Sequence, residues 1–302
     1  MNARLKLLAL PVLALLAQSP LAQAEGPPFM KDLAADRGQT LPLPYGLAVV
    51  YSNTKQDLEL DGLSVSANGN ATSATRLLHL GDSDLKSSTV LLKGDVWLFP
   101  FLNVFAFAGQ ASNKLKADYT VYADEAAAYY GSTACADPAD RPAVCERAFT
   151  GTIERDTDAV NYGGGALLAY AQGPAFAMLG LIYATSDAKS EDTQVKAFTA
   201  SPRLGWRFPT EAGGSVAVYG GASFVDSKVE LENQEVIQTG STGNNLPQQI
   251  VLDYSVSQKN EDDWSYLAGV NWDITRQWTL QGEYAIGARE GLMTSLVWRF
   301  GG

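Results

Sequence analysis

The sequence predicts an all-β fold: a closed, antiparallel transmembrane β-barrel of about ten strands, with eight or twelve as the neighbouring possibilities. Three observations lead there. The last two dozen residues alternate strictly between bulky apolar and small or polar side chains. Short turns separate the strand-like runs at one end, and longer, acidic segments separate them at the other. Composition is the third: 10% aromatic residues and 28 glycines accompany a mean hydropathy close to zero. A helical membrane protein would be far more apolar, whereas a barrel alternates its faces and averages out.

The C-terminal run carries the pattern most clearly. Residues 278–300 read WTLQGEYAIGAREGLMTSLVWRF. Trp278, Leu280, Gly282, Tyr284 and Ile286 share one parity, opposed by Thr279, Gln281, Glu283 and Ala285. After the polar turn Ala288-Arg289-Glu290-Gly291, Leu292, Leu296, Trp298 and Phe300 resume it against Ser295, Val297 and Arg299. Period two over two adjacent runs predicts a hairpin. This stretch resembles the closing strand of small Gram-negative outer-membrane β-barrel proteins, which end in an aromatic residue preceded by apolar residues at alternate positions. Gly301-Gly302 after Phe300 departs from that ending. The resemblance implies an outer-membrane location, short periplasmic turns, longer external loops, and passage through the outer-membrane assembly machinery.

The N-terminus fits export. Arg4 and Lys6 precede an apolar core, Leu7 to Ala17, and Ala22-Gln23-Ala24 offers a small-residue cleavage site. Residues 1–24 are therefore expected to be a signal peptide, 25–44 a proline-rich periplasmic lead-in with a helical turn near Lys31 to Asp36, and 45–302 the barrel. Cleavage removes two of 22 basic residues and no acidic ones, leaving 20 against 33, net −13. Such a charge argues against nucleic acid as a partner and against docking on anionic lipid through a basic patch. The expected partners are the lipid bilayer and lipopolysaccharide, with the chain a monomer. Cys135 and Cys145, in an exported chain, are expected to form one disulfide. No clustered His or Cys accompanies them, so neither a metal nor a cofactor is expected.

Along the chain, Tyr45, Leu47, Val49 and Tyr51 open the first strand against Ala48, Val50 and Ser52. Residues 53–86 are polar and read as an outer loop or an extra hairpin. Then Val90, Leu92, Val96 and Leu98 oppose Lys93, Asp95 and Trp97, and a tight turn at 99–103 sends the chain back. An acidic loop is predicted over 117–158. Residues 162–186 are uncharged over more than the ~20 residues that a membrane helix needs. Gly173-Pro174 near their middle and three consecutive glycines at 163–165 favour two strands instead. Phe198, Leu204, Trp206 and Phe208 alternate with Thr199, Ser201, Arg203 and Arg207 before a turn at 209–214. A strand over 215–231, a polar loop over 232–250 and a strand over 253–273 lead to the closing hairpin, with Trp264, Tyr266, Val270 and Trp272 facing out.

Folding this alternation into a barrel sends Lys93, Asp95, Arg203, Arg207, Glu283 and Arg299 to the lumen. Charges there must be paired or be costly. They either plug a narrow interior or form the selectivity ring of a narrow diffusion channel. A barrel this small is nearly filled by side chains, so the plug is the favoured reading. The function expected is a non-enzymatic envelope or surface role carried by the external loops. A remote alternative is an outer-rim enzyme using His79, the one histidine, with Asp82, Ser83 or Asp84 beside it.

Overall fold

The computed structural model describes residues 26–32, 41–67, 70–72, 79–129, 133, 135–137, 139, 142–189, 194–211, 213–238, 249–260 and 262–301. The expected signal peptide, 1–24, lies outside the described residues, as do residues 25 and 33–40 of the lead-in. The lead-in that is described, Gly26 to Asp32, lies against the periplasmic end of the barrel: Phe29 N–H donates to the Leu98 carbonyl at 2.8 Å, and its ring meets Phe99.

Twelve strands follow in chain order: β1 (Tyr45–Ala67), β2 (Asn70–Thr72), β3 (His79–Phe99), β4 (Leu102–Tyr122), β5 (Ala148–Gln172), β6 (Ala175–Ala188), β7 (Gln194–Pro209), β8 (Ser215–Gln238), β9 (Gln249–Asn260), β10 (Trp264–Asp273), β11 (Trp278–Gly287) and β12 (Arg289–Phe300). Ten of them close into an antiparallel barrel, in the order β1, β3, β4, β5, β6, β7, β8, β10, β11, β12. Closure comes from the first and last strands, where Tyr45 opposes Phe300 and Gln56 opposes Arg289. With no free edge, every backbone donor and acceptor in the spanning part can be paired, which a membrane interior demands.

The alternation sets the two faces. Leu47, Val49, Leu92, Leu204, Tyr266, Trp272, Leu280, Ile286 and Leu296 are exposed on the outside, while Ala48, Ala217, Tyr219, Leu267 and Val297 are buried inside. Trp206, Trp272, Trp278, Trp298 and Tyr45 gather near the short turns; Tyr51, Tyr162, Tyr183 and Trp264 stand toward the other end. These are the two aromatic girdles of a membrane barrel. No described helix is long and apolar enough to cross a membrane. Residues 162–186 are β5 and β6, joined at Gly173, whose φ of 59° suits the tight turn.

The outer end departs from the sequence expectation in three places. The predicted loop 117–158 is shorter, because β4 and β5 remain paired from Ala117↔Ile153 up to Tyr122↔Ala148. Residues 53–86 take the hairpin reading of the two offered: β1 runs on to Ala67, β2 pairs back on it from Ala67↔Asn70 to Val65↔Thr72, and Asn53–Asp57 pair with Asp84–Ser88 of β3. The polar loop 232–250 shrinks likewise, since β8 continues to Gln238 and β9 starts at Gln249. The single strand expected over 253–273 is two, β9 and β10. One physical reason covers all three. Above the membrane both faces of a strand meet water, so the apolar–polar alternation vanishes while the backbone ladder continues.

β9 has a particular place. It pairs with β8 over Val229–Gln238 and with β1 over Leu58–Ala67, whereas lower down β10, β11 and β12 fill the wall between β8 and β1. Above the membrane β9 thus takes the place between β8 and β1 that three strands fill lower down. At the junction the tip of the β11–β12 hairpin is held by Arg289, whose N–H donates to Ser265 Oγ at 2.9 Å and whose Nε donates to Gln56 Oε1 at 2.7 Å.

Between β4 and β5 a short helix α1 (Ala123–Tyr129) and a 3₁₀ turn (Ala143–Glu146) form the external loop. Cys135 and Cys145 are bridged there, as expected, with Cys145 buried. The loop's base is closed separately by Ala123 N–H donating to the Arg147 carbonyl at 3.0 Å. Closing so short a loop contributes ~2–3 kcal/mol at most in the chain-entropy model. Cys135→Ser should therefore leave barrel assembly intact, read as an unchanged gel heat shift, and increase protease cleavage between β4 and β5.

Candidate functional site: the charged lumen

Two ion-pair clusters occupy the periplasmic half of the lumen. The first is built on β3. Lys93 and Asp95 alternate with the outward residues Val90 and Leu92, so both point inside. Asp95, whose side chain has no solvent exposure, takes Arg299 of β12 at 3.1 Å and Lys93 at 4.0 Å. Asn103 of β4 adds a hydrogen bond from Nδ2 to Asp95 Oδ1 at 2.7 Å. Arg299 also donates to the Leu43 carbonyl at 3.2 Å, tying the entry to β1 to the cluster. Lys93 lies over the Phe105 ring, 5.2 Å from its centroid.

Between β3 and β12 stands β1, and its residue opposite both Asp95 and Arg299 is Gly46. A Cβ at Gly46 would collide with the Asp95 carboxylate. The missing side chain is what lets charges from two non-adjacent strands meet.

The second cluster repeats the device. Arg203 of β7 makes a forked pair with Glu283 of β11, Nε to Oε2 at 2.9 Å and Nη2 to Oε1 at 3.1 Å. Strands β8 and β10 separate β7 from β11, so the fork spans the lumen as a chord. Arg203's partner on β8 is Gly221 and Glu283's partner on β10 is Gly269. Tyr219 fills the space over Gly269, sits 6.0 Å from the Arg203 guanidinium and accepts from Gln281 Nε2 at 3.0 Å. Ser295 of β12 donates to Gln281 Oε1 at 3.2 Å and ends the chain of contacts. Val297, buried on β12 between Ser295 and Arg299, lies between the two clusters.

Five of the six expected lumen charges thus fall into two groups: Lys93, Asp95 and Arg299 in one, Arg203 and Glu283 in the other. Arg207 has the inward parity but is exposed near the end of β7 and makes no ion pair among the described residues. Asn103, Tyr219, Gln281 and Ser295 were not singled out in the sequence. Their inward parity was the available signal, and they are uncharged. A third contact, at the periplasmic rim, is Asp273 accepting from Ser215 Oγ at 2.7 Å and Thr279 Oγ1 at 2.8 Å.

The outer histidine finds a different partner from those its sequence neighbours suggested. His79 Nε2 lies 2.6 Å from Glu125 of α1, and its ring packs edge-on against Tyr122. Ser83 is buried and donates to the Gly81 carbonyl instead. Asp82 and Asp84 do not join the pair. No group of three or more His, Cys, Asp or Glu among the described residues could hold a metal.

The family model described as an outer membrane protein beta-barrel domain matches residues 149–294, which run from β5 into β12. Solved structures with a similar chain path include the following three. OprG of Pseudomonas aeruginosa is 9% identical, covering 86% of this chain and 98% of that one, TM-score 0.36. The COG4313 outer membrane channel of Pseudomonas putida F1 is 12% identical, covering 86% and 97%, TM-score 0.34. The toluene transporter TbuX of Ralstonia pickettii is 12% identical, covering 86% and 90%, TM-score 0.35. At these scores the likeness assigns no solute or activity to this chain. No curated protein matches it. Over residues 149–294 the chain is thus similar to outer membrane beta-barrel domains, and its ten wall strands close as an antiparallel barrel.

Proposed function

We propose that this protein is a non-enzymatic barrel whose lumen is closed by its charged network and whose contacts are made by its outer half. The observation that carries this reading is the Arg203–Glu283 fork, strung across the lumen between strands three places apart in the wall. A forked pair fixes both side chains in one geometry. Phe105, Tyr219 and Asp95 add to the filling of the lumen, with Asp95 and Tyr219 buried. The long β4–β5 hairpin, with its bridged loop, supplies external surface. A non-enzymatic role is supported by His79, whose partner is a carboxylate with no nucleophile in the pair.

A second reading, a narrow diffusion channel, draws on the polar upper lumen. Thr89, Ser201 and Ser265 face inward there and are buried, and Asn161 Oδ1 finds no hydrogen-bond partner among the described residues. Planar-bilayer recording separates the two. The wild-type protein should give no steady unitary current at either polarity, and discrete cation- or anion-selective steps from it would replace the closed-barrel reading with the channel.

A further inference from the structure

On the outside of the barrel the strand register sets three lysines side by side. Lys55 of β1 opposes Lys86 of β3, and Lys86 opposes Lys114 of β4. All three are exposed and share the outward parity of Tyr51 and Val90. Glu290 opposite Lys55 and Asp156 opposite Lys114 end the row. Side chains directly opposed on neighbouring strands stand ~4.5–5.5 Å apart at Cβ, and like charges there destabilise the pair. The outer two lysines are countered, Lys55 by Asp57 at 3.4 Å and Lys114 by Asp156 at 3.8 Å. Lys86, in the middle, has no ion-pair partner among the described residues. In a chain of net charge −11 with its leader, three adjacent cations with an uncompensated centre do not follow from composition.

Their height on the wall says what they face. The next row toward the membrane is Asn53, Ser88 and Ser112, with Asn53 Nδ2 donating to Ser88 Oγ at 2.8 Å. Below it come Tyr51, Val90 and Gln110, and then exposed Val49 and Leu92, where the apolar belt begins. Each row is two residues, ~7 Å along the strand, from the next. The ammonium groups therefore sit just above the belt, at the level of lipid headgroups, with hydroxyl and amide groups beneath them.

We propose that this outward face of β1, β3 and β4 binds the phosphate of an outer-leaflet glycolipid. Lys86 is its central ligand, Lys55 and Lys114 flank it, and Ser88 and Ser112 supply further donors. The acyl chains lie along Val49, Val90 and Leu92. A lipid phosphate is favoured over free phosphate because the cations are continuous with exposed apolar surface, which only an amphiphile covers. The face is independent of whether the lumen conducts.

The test uses the mature protein refolded into phosphatidylcholine vesicles with or without bis-phosphorylated lipid A. Its readout is the temperature at which the unheated gel form is lost. Lipid A should raise that temperature by several degrees in the wild type. The variant K55Q/K86Q/K114Q should lose the rise, while its own temperature in plain phosphatidylcholine stays the same or increases as like-charge repulsion is relieved. K116Q, one row higher and opposite Asp84 and Glu154, should keep it. The proposal is overturned by an undiminished rise in the triple variant, by an equal loss in K116Q, or by an equal rise with dephosphorylated lipid A. A rise reproduced by inorganic phosphate alone would overturn the assignment to a lipid.

Discussion

Asp95→Ala should be among the most damaging single substitutions in the barrel, lowering stability by ~3–5 kcal/mol, because it strands Arg299 and leaves Lys93 unpaired in a confined interior. The carboxylate is fully buried and is the one anion shared by both cations and by Asn103. The effect of removing each cation should follow its geometry. Arg299→Ala removes a 3.1 Å contact made by a side chain 15% exposed, and should approach the loss seen at Asp95. Lys93 is 4.0 Å away and 29% exposed, so Lys93→Ala should cost nearer the ~1 kcal/mol of a partly solvated pair. Urea unfolding in vesicles, followed by tryptophan fluorescence, measures all three. Equal losses for Lys93→Ala and Arg299→Ala would show that the cluster is hydrated and that burial does not set the order.

Gly46 extends the same logic to a residue with no charge. Its substitution by alanine puts a methyl group into the Asp95 carboxylate, which Arg299, Lys93 and Asn103 hold in place. Gly46→Ala should therefore reproduce part of the Asp95→Ala loss.

Where the membrane acts on both faces of a strand, the sequence was easy to read. Lipid requires apolar residues outside and the narrow lumen requires compact or paired ones inside, so Tyr45–Ser52, Val90–Leu98 and Trp278–Phe300 alternate and betray their strands. The inward placement of Lys93, Asp95, Arg203, Glu283 and Arg299 followed from parity alone. Which of them meet did not, because that depends on shear around the barrel. Arg203 and Glu283 are eighty residues apart and three strands apart in the wall, and nothing local pairs them. Water removes the signal altogether. Asp118–Tyr122 and Ala148–Thr152 form a regular ladder, yet with solvent on each side their side chains carry no period. The β9 insertion between β8 and β1 was hidden for the same reason, and His79's distant partner Glu125 lies in a helix that the loop's composition did not announce.

The Arg203–Glu283 fork should behave as a strongly coupled pair. Both side chains are largely buried, 15% and 10% exposed, and two hydrogen bonds join them. Arg203→Ala or Glu283→Ala leaves one charge unpaired among Tyr219, Gln281 and Ser295, and each should destabilise by ~3–5 kcal/mol. Removing both charges with substitutions of similar volume, Arg203→Met with Glu283→Leu, should recover most of that loss, since no unpaired charge remains. In a cycle built from Arg203→Met, Glu283→Leu and their combination, the double variant should therefore lose far less than the sum of the two single losses, a coupling of at least ~3 kcal/mol in size. Conductance gives the independent arm. With the chord cut, Glu283→Ala should admit brief unitary currents that the wild type lacks, and the Met/Leu variant should close the lumen again. If the pair instead lines a hydrated passage, water solvates either charge alone, the single substitutions become nearly neutral, and the coupling falls toward zero. That outcome, with wild-type currents already present, would remove the fork as the closure of this barrel.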